Sequence, residues 1–137
     1  MPNKNKNYTV SVGRRREAVA RVRLGDKSLK KGDFLVNGKN ASAYFTGAIA
    51  KVLYEKPFKV TDSLGKYTIS VSVSGGGLKS QLEATVLGVS RALAKTEESF
   101  KKTLRGKGLL TVDQRTRERR KVGRGGKARR QKQSPKR

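Results

Sequence analysis

The sequence predicts an α+β domain whose helices cover one face of a sheet, followed by an extended basic tail. Three observations carry that reading. Several stretches alternate apolar and polar residues with a period of two, two others repeat apolar residues at helical spacing, and almost all the Leu, Ile, Val and Phe lie before residue 112. Strands in two groups, with helices between and after them, bury their apolar faces best as two packed layers.

Taken in order, residues 1–7 are rich in Asn and Lys and are expected to form a short disordered lead. Tyr8, Val10 and Val12 then alternate with Thr9 and Ser11, which predicts a first strand with those three residues on its apolar face. Residues 13–17 read as an arginine-studded turn. Ala18, Ala20, Val22 and Leu24 alternate with Arg21 and Arg23 in a second strand. A short third strand is expected over Asp33 to Asn37, closed by the turn pair Asn37-Gly38. The spacing of Tyr44, Phe45, Ala48, Ile49, Val52 and Leu53 predicts a helix that Pro57 should stop through the residue before it. Tyr67, Ile69, Val71 and Val73 against Thr68, Ser70, Ser72 and Ser74 give the clearest strand, ending at Gly75-Gly76-Gly77. Leu78, Leu82, Thr85, Val86, Val89, Ala92 and Leu93 mark a longer helix with one apolar stripe. A charged third helix is expected from Glu97 to Arg105, ended by Gly106 and Gly108. The globular domain is therefore set at residues 8–111 and the tail at 112–137.

The charge separates the same two regions. The 137 residues carry 34 Lys and Arg against 10 Asp and Glu, a net +24 that opposes compaction unless a polyanion neutralises it, and nucleic acid is the obvious one. From Val112 onward twelve cations face only Asp113 and Glu118, with too few apolar residues to offset the entropy of a fixed chain. No run approaches the ~20 apolar residues needed to cross a bilayer, and MPNKNKNY has no apolar signal core, so an intracellular, soluble protein is expected.

Catalysis is disfavoured by what is missing. Without His or Cys, a triad, a thiol nucleophile or a Cys-containing zinc site has no usual parts, and no cofactor or metal is expected. The adjacent Glu97 and Glu98 would not share a helix face and read better as favourable charge at a helix N-terminus. GGGLKS is not a GxxxxGK loop; its glycines read as a tight strand-to-helix turn, although amides there remain open to an RNA phosphate. GVSRA lacks the second glycine of a nucleophile elbow.

The cationic signals are stronger. Arg14, Arg15 and Arg16 at a strand turn can reach phosphates while the sheet fixes their base. In the tail eight Arg against four Lys favour forked, stackable contacts over simple solvation, and Gly123, Gly125 and Gly126 provide joints for a segment that orders on RNA.

GRRREAVARVRL near the start, GGGLKSQLEATVLGVSRAL in the middle and LRGKGLLTVDQRTRERRKVGRGGKARRQKQSPKR at the end resemble small-subunit ribosomal protein nine of the bacterial type, over Tyr8 to Arg137. The resemblance implies a fold like domain two of ribosomal protein five, with a mixed sheet covered by helices on one face and a left-handed βαβ crossover. It also implies a structural, cytoplasmic role in the head of the small ribosomal subunit, with rRNA, peptidyl-site tRNA and neighbouring head proteins as partners, and neither a membrane nor an independent homo-oligomer. On that reading the rRNA-binding candidates are Arg14, Arg15, Arg16, Arg21 and Arg105 in the domain. Those in the tail are Arg115, Arg117, Arg119, Arg120, Lys121, Arg124, Lys127, Arg129, Arg130 and Lys132, with Arg129, Arg130 and Gln133 falling on a basic motif of the family. Lys136 and Arg137 take the place of the terminal pair that approaches the tRNA anticodon stem-loop.

Members of that family commonly finish Phe-Ser-Lys-Arg, whereas this chain has Ser134-Pro135-Lys136-Arg137. The aromatic anchor is gone, and Pro135 restricts the backbone before the final pair. Two other classes fit the residues less well. The protein subunit of bacterial ribonuclease P resembles the same fold, but its RNR motif is missing and Arg91 stands alone in VSRALAK. A DNA-compacting protein would carry a Lys- and Ala-rich tail rather than one rich in Arg with glycine joints.

Overall fold

The computed structural model of the chain describes residues 8–25, 30–123 and 135. Among these residues the strands β1 (Thr9–Arg15), β2 (Ala18–Leu24), β3 (Phe34–Val36), β4 (Lys39–Asn40) and β5 (Ile69–Ser74) form one sheet in the order β1-β2-β5-β3-β4. β1, β2 and β5 pair antiparallel, β5 and β3 pair parallel, and β3 and β4 close an antiparallel hairpin, so the sheet is mixed. The parallel pair requires a crossover, supplied by α1 (Ala41–Tyr44) and α2 (Ala48–Val60). The helices α3 (Leu78–Thr96) and α4 (Glu98–Gly106) follow β5.

β2 forms as its alternation predicts, and β5 does so from Ile69 onward, after a half-buried Tyr67 and a buried Thr68 that precede the strand. Ala18, Ala20, Val22 and Leu24 are buried with Ile69, Val71 and Val73 under the helices, while Arg21, Arg23, Ser72 and Ser74 face solvent. From the helices, Leu82, Val89, Leu93, Tyr54, Phe58 and Leu104 complete this core. Each fully buried leucine contributes about 1.5–3 kcal/mol.

β1 departs from the expected pattern in two ways. It runs on through Arg15, which leaves only Arg16 and Glu17 as the turn, and its faces are inverted: Ser11 and Gly13 are buried while Val10 is 45% exposed. The cause is α3. A methyl group on Gly13 would stand 1.9 Å from the carbonyl oxygen of Ala84, and one on Gly88 would stand 2.7 Å from a methyl of Val22. The helix therefore lies directly on the strand at two residues without side chains, and the Ser11 hydroxyl donates to the Gly88 carbonyl at 2.6 Å. Backbone contact, rather than a hydrophobic stripe, seats β1.

The crossover differs as well. Gly47, at φ 106°, separates the single turn α1 from α2, and α2 passes through Pro57 to Val60 instead of stopping before it. Proline deprives the Leu53 carbonyl of a donor. Burial compensates, since Pro57, Tyr54 and Phe58 enter the core, whereas the expected stripe of Ile49, Val52 and Leu53 is exposed. Thr61 ends the helix by donating its amide to the Pro57 carbonyl at 3.2 Å and its hydroxyl to the same oxygen at 3.0 Å. The short strand β4 carries no periodic signal in two residues, but the Asn37-Gly38 turn before it was legible and both residues have positive φ.

Beyond α4 the chain from Thr111 to Lys121 is in neither helix nor strand. No helix among the described residues is long and apolar enough to cross a membrane.

Candidate nucleic-acid interface

Two basic surfaces arise from the way β1 and β2 are built. The first is the sheet face away from the helices. Its rows follow from the pairing register: Arg14 beside Val19 and Ser74, Val12 beside Arg21 and Ser72, and Val10 beside Arg23 and Ser70. Arginines and hydroxyls, interleaved with small apolar residues, offer phosphate donors on a rigid support. The Arg23 guanidinium also lies over the Tyr8 ring, 5.7 Å from its centroid, which orients it.

The second surface runs along the free edge of β1. From α3, Arg91 Nη1 donates to the Val12 carbonyl at 2.7 Å and Lys95 Nζ to the Val10 carbonyl at 3.0 Å. Arg14, Arg16, Arg91, Val12, Val112, Asp113 and Gln114 line a groove of about 530 Å³ there.

The three consecutive arginines thus have different roles. Arg14 and Arg16 are exposed, and Arg16 holds a left-handed φ of 53° in the β1–β2 turn. Arg15 points to the helix side, where Nε donates to Glu83 Oε2 at 2.7 Å, Nη2 lies 3.2 Å from Asp113 Oδ2 and Nη1 donates to the Arg115 carbonyl at 2.9 Å. With only 14% of its side chain exposed, Arg15 fastens the segment after α4 to β1 and α3. Asp113 completes the clasp by accepting from the Arg115 amide and guanidinium. These hydrogen bonds to Arg115, with the positive charges of Arg115 and Arg15, hold the Asp113 carboxyl well below the usual carboxylate range and push Arg115 up.

The remaining candidates divide by position. Arg21 stands on the open sheet face, Arg105 is exposed in the last turn of α4, and Arg117, Arg119, Arg120 and Lys121 are exposed along the segment after Asp113. Arg124, Lys127, Arg129, Arg130, Lys132, Gln133, Lys136 and Arg137 lie outside the described residues, as do residues 1–7. Sequence reading passed over Arg23, Arg91 and Lys95. The alternation that singles out Arg21 singles out Arg23 equally, whereas Arg91 and Lys95 acquire meaning only beside the β1 edge.

The expected tight turn before α3 is present: Gly75 and Gly76 have positive φ, and a methyl on Gly75 would stand 2.3 Å from the Glu17 carbonyl oxygen.

Comparison with known proteins is consistent with this mixed α+β architecture. The family model of ribosomal protein S9/S16 matches residues 13–137. A small ribosomal subunit protein uS9 of Gemmatimonas aurantiaca is 43% identical over 116 residues, covering 85% of this chain and 88% of the relative. The uS9 protein of Maridesulfovibrio salexigens is 39% identical over 122 residues, covering 89% and 92%. That of Cytophaga hutchinsonii is 42% identical over 113 residues, covering 82% and 86%. With near-complete coverage on both sides and a family match that reaches the last residue, the chain belongs to the ribosomal protein S9/S16 family.

Proposed function

We propose that this chain, a structural constituent of the small ribosomal subunit and not an enzyme, binds the rRNA of the subunit head and extends its C-terminal segment to the anticodon stem-loop of the peptidyl-site tRNA. It acts in translation, within the ribosome in the cytoplasm. The observation that carries the reading is the family match through Arg137 on a chain of net +24 that exposes Arg14, Arg16, Arg21 and Arg23 on the β1–β2 hairpin and Arg115, Arg117, Arg119 and Arg120 after α4. In this reading residues 8–111 are the rRNA-binding domain, and residues 112–137 form an extended tail that RNA phosphates hold in place. The crossover from β3 to β5 takes the left-handed course of the family. Neighbouring head proteins are its protein partners, and it forms no independent homo-oligomer.

Arg137 supplies a guanidinium close to the tRNA backbone, where its forked donors suit a phosphate. Two truncations test the division of labour. Removal of residues 112–137 is expected to weaken binding to head-domain rRNA and incorporation into subunits. Removal of Lys136 and Arg137 alone is expected to leave assembly intact and to lower tRNA retention in the peptidyl site of purified subunits. Unchanged tRNA affinity in the second case overturns the tRNA role without touching rRNA binding.

A further inference from the structure

The geometry points to the groove between the β1 edge and α3 as a dedicated site for an RNA phosphodiester, with Arg91 and Arg16 as its ligands and Arg14 at its mouth. The inference rests on the rRNA-binding role and specifies where the domain grips the backbone nearest the point at which the tail departs.

A strand edge is ordinarily a poor phosphate site, because its outward carbonyls present negative partial charge. Here Arg91 and Lys95 reverse that. Each donates to an edge carbonyl, of Val12 and Val10 respectively, so the edge presents cations instead of lone pairs. The bond from Arg91 Nη1 uses one of five donors and fixes the half-buried guanidinium, leaving the other donors to fork onto a phosphate with little further loss of side-chain freedom. Across the groove, Arg16 keeps a long cationic side chain at a left-handed position where glycine would be relaxed.

The acidic residue in the groove does not oppose the ligand. Asp113 is engaged by Arg15 at 3.2 Å and by Arg115 at 2.9 Å, so its charge is spent on the clasp. Gln114 follows it on the groove wall with an amide able to donate. A volume of about 530 Å³ admits a phosphate with its flanking riboses. The position at the tail root selects RNA over an acidic protein segment, since a strand that the tail follows must pass this point.

The test uses the full chain and a transcript of the small-subunit rRNA head domain, with binding measured across a series of KCl concentrations. R16M/R91M is expected to weaken binding by about tenfold near 150 mM salt and to lower the salt slope by about one, as loss of one phosphate contact requires. K56M, an equal loss of charge per site on the exposed side of α2, should change affinity less than twofold. R91K, which keeps the charge and a donor for Val12 but loses the fork, should fall between wild type and R91M; this guards against R91M acting only through folding. A photoreactive residue at Gln114 should crosslink to RNA in assembled subunits. Wild-type binding with an unchanged slope in R16M/R91M, or crosslinking to protein alone, overturns the groove and leaves rRNA binding standing. Failure of the wild-type chain to bind the transcript overturns the broader role instead.

Discussion

Gly13 of β1 and Gly88 of α3 meet backbone to backbone: a methyl group placed on Gly13 would lie 2.4 Å from the Gly88 amide nitrogen. That contact sets how deeply α3 sits on the sheet, and so where Arg91, one turn further along the helix, meets the β1 edge.

Gly13→Ala should therefore be among the most damaging single changes in the domain. The added methyl meets rigid backbone at Ala84 and Gly88, so a loss of about 3 kcal/mol or more is expected in urea unfolding. Gly88→Ala is milder. Its methyl meets a methyl of the buried Val22 at 2.7 Å and the Gly13 amide nitrogen at 3.2 Å, a less severe approach than that at Gly13, and alanine gains about 1 kcal/mol of helix propensity. Combining it with Val22→Ala should give less than the sum of the two single losses, by about 1 kcal/mol. Strict additivity would show that the two residues do not share the contact.

The Arg15–Asp113–Arg115 clasp predicts a pH response of defined sign. Because the Asp113 carboxyl is held below its ordinary value of 3.8, its contribution is present above that value and is lost only as pH falls through the lowered one. In an NMR titration, its carboxyl signal should show no inflection between about pH 3 and 5, where an unpaired aspartate titrates. Asp113→Ala should speed amide exchange at Arg115 by a few-fold and leave the global unfolding midpoint nearly unchanged, since the group is open to solvent screening. An inflection near 4 would mean that the clasp does not hold in solution.

Thr61→Val removes the hydroxyl that closes α2. The buried Thr61 hydroxyl pairs with Ser63 Oγ at 2.6 Å and bonds the Pro57 carbonyl, so an isosteric valine leaves a fully buried serine short of a partner. A destabilisation of about 1–3 kcal/mol is expected, measured by thermal unfolding. Thr61→Ser should retain most of that stability.

Binding of the isolated chain to rRNA should depend steeply on salt. If about six phosphates are neutralised, affinity should fall by roughly 10³ or more between 50 and 200 mM monovalent salt. A slope near zero in filter binding would contradict a backbone-dominated interface.

Where the fold was readable, contrast between two faces made it so. β2 and β5 alternate between aliphatic and polar residues, and that alternation fixed their burial and the outward course of Arg21. β1 was misread because its inner contacts are made by Ser11 and Gly13, which carry no hydrophobic signal, while Val10 and Val12 line grooves at the edge. In α2 the period was genuine but assigned to the wrong face. Tyr54, Pro57 and Phe58 enter the core, and a proline read as a terminator serves as packing material. The run of three arginines was visible, yet the difference between an internal fastener, Arg15, and two exposed neighbours depends on strand parity that only the extension of β1 to residue 15 establishes. The groove beside Arg91 joins residues nearly eighty positions apart and had no local signature.

The hydrogen bonds from Arg91 and Lys95 to the carbonyls of Val12 and Val10 also bear on the life of the molecule before it meets RNA. A sheet border with unsatisfied acceptors invites a second copy to add its own strand, the first step toward aggregates. Ammonium and guanidinium groups from the same polypeptide occupy two of the acceptors along that border, and their like charge opposes the approach of a sister molecule.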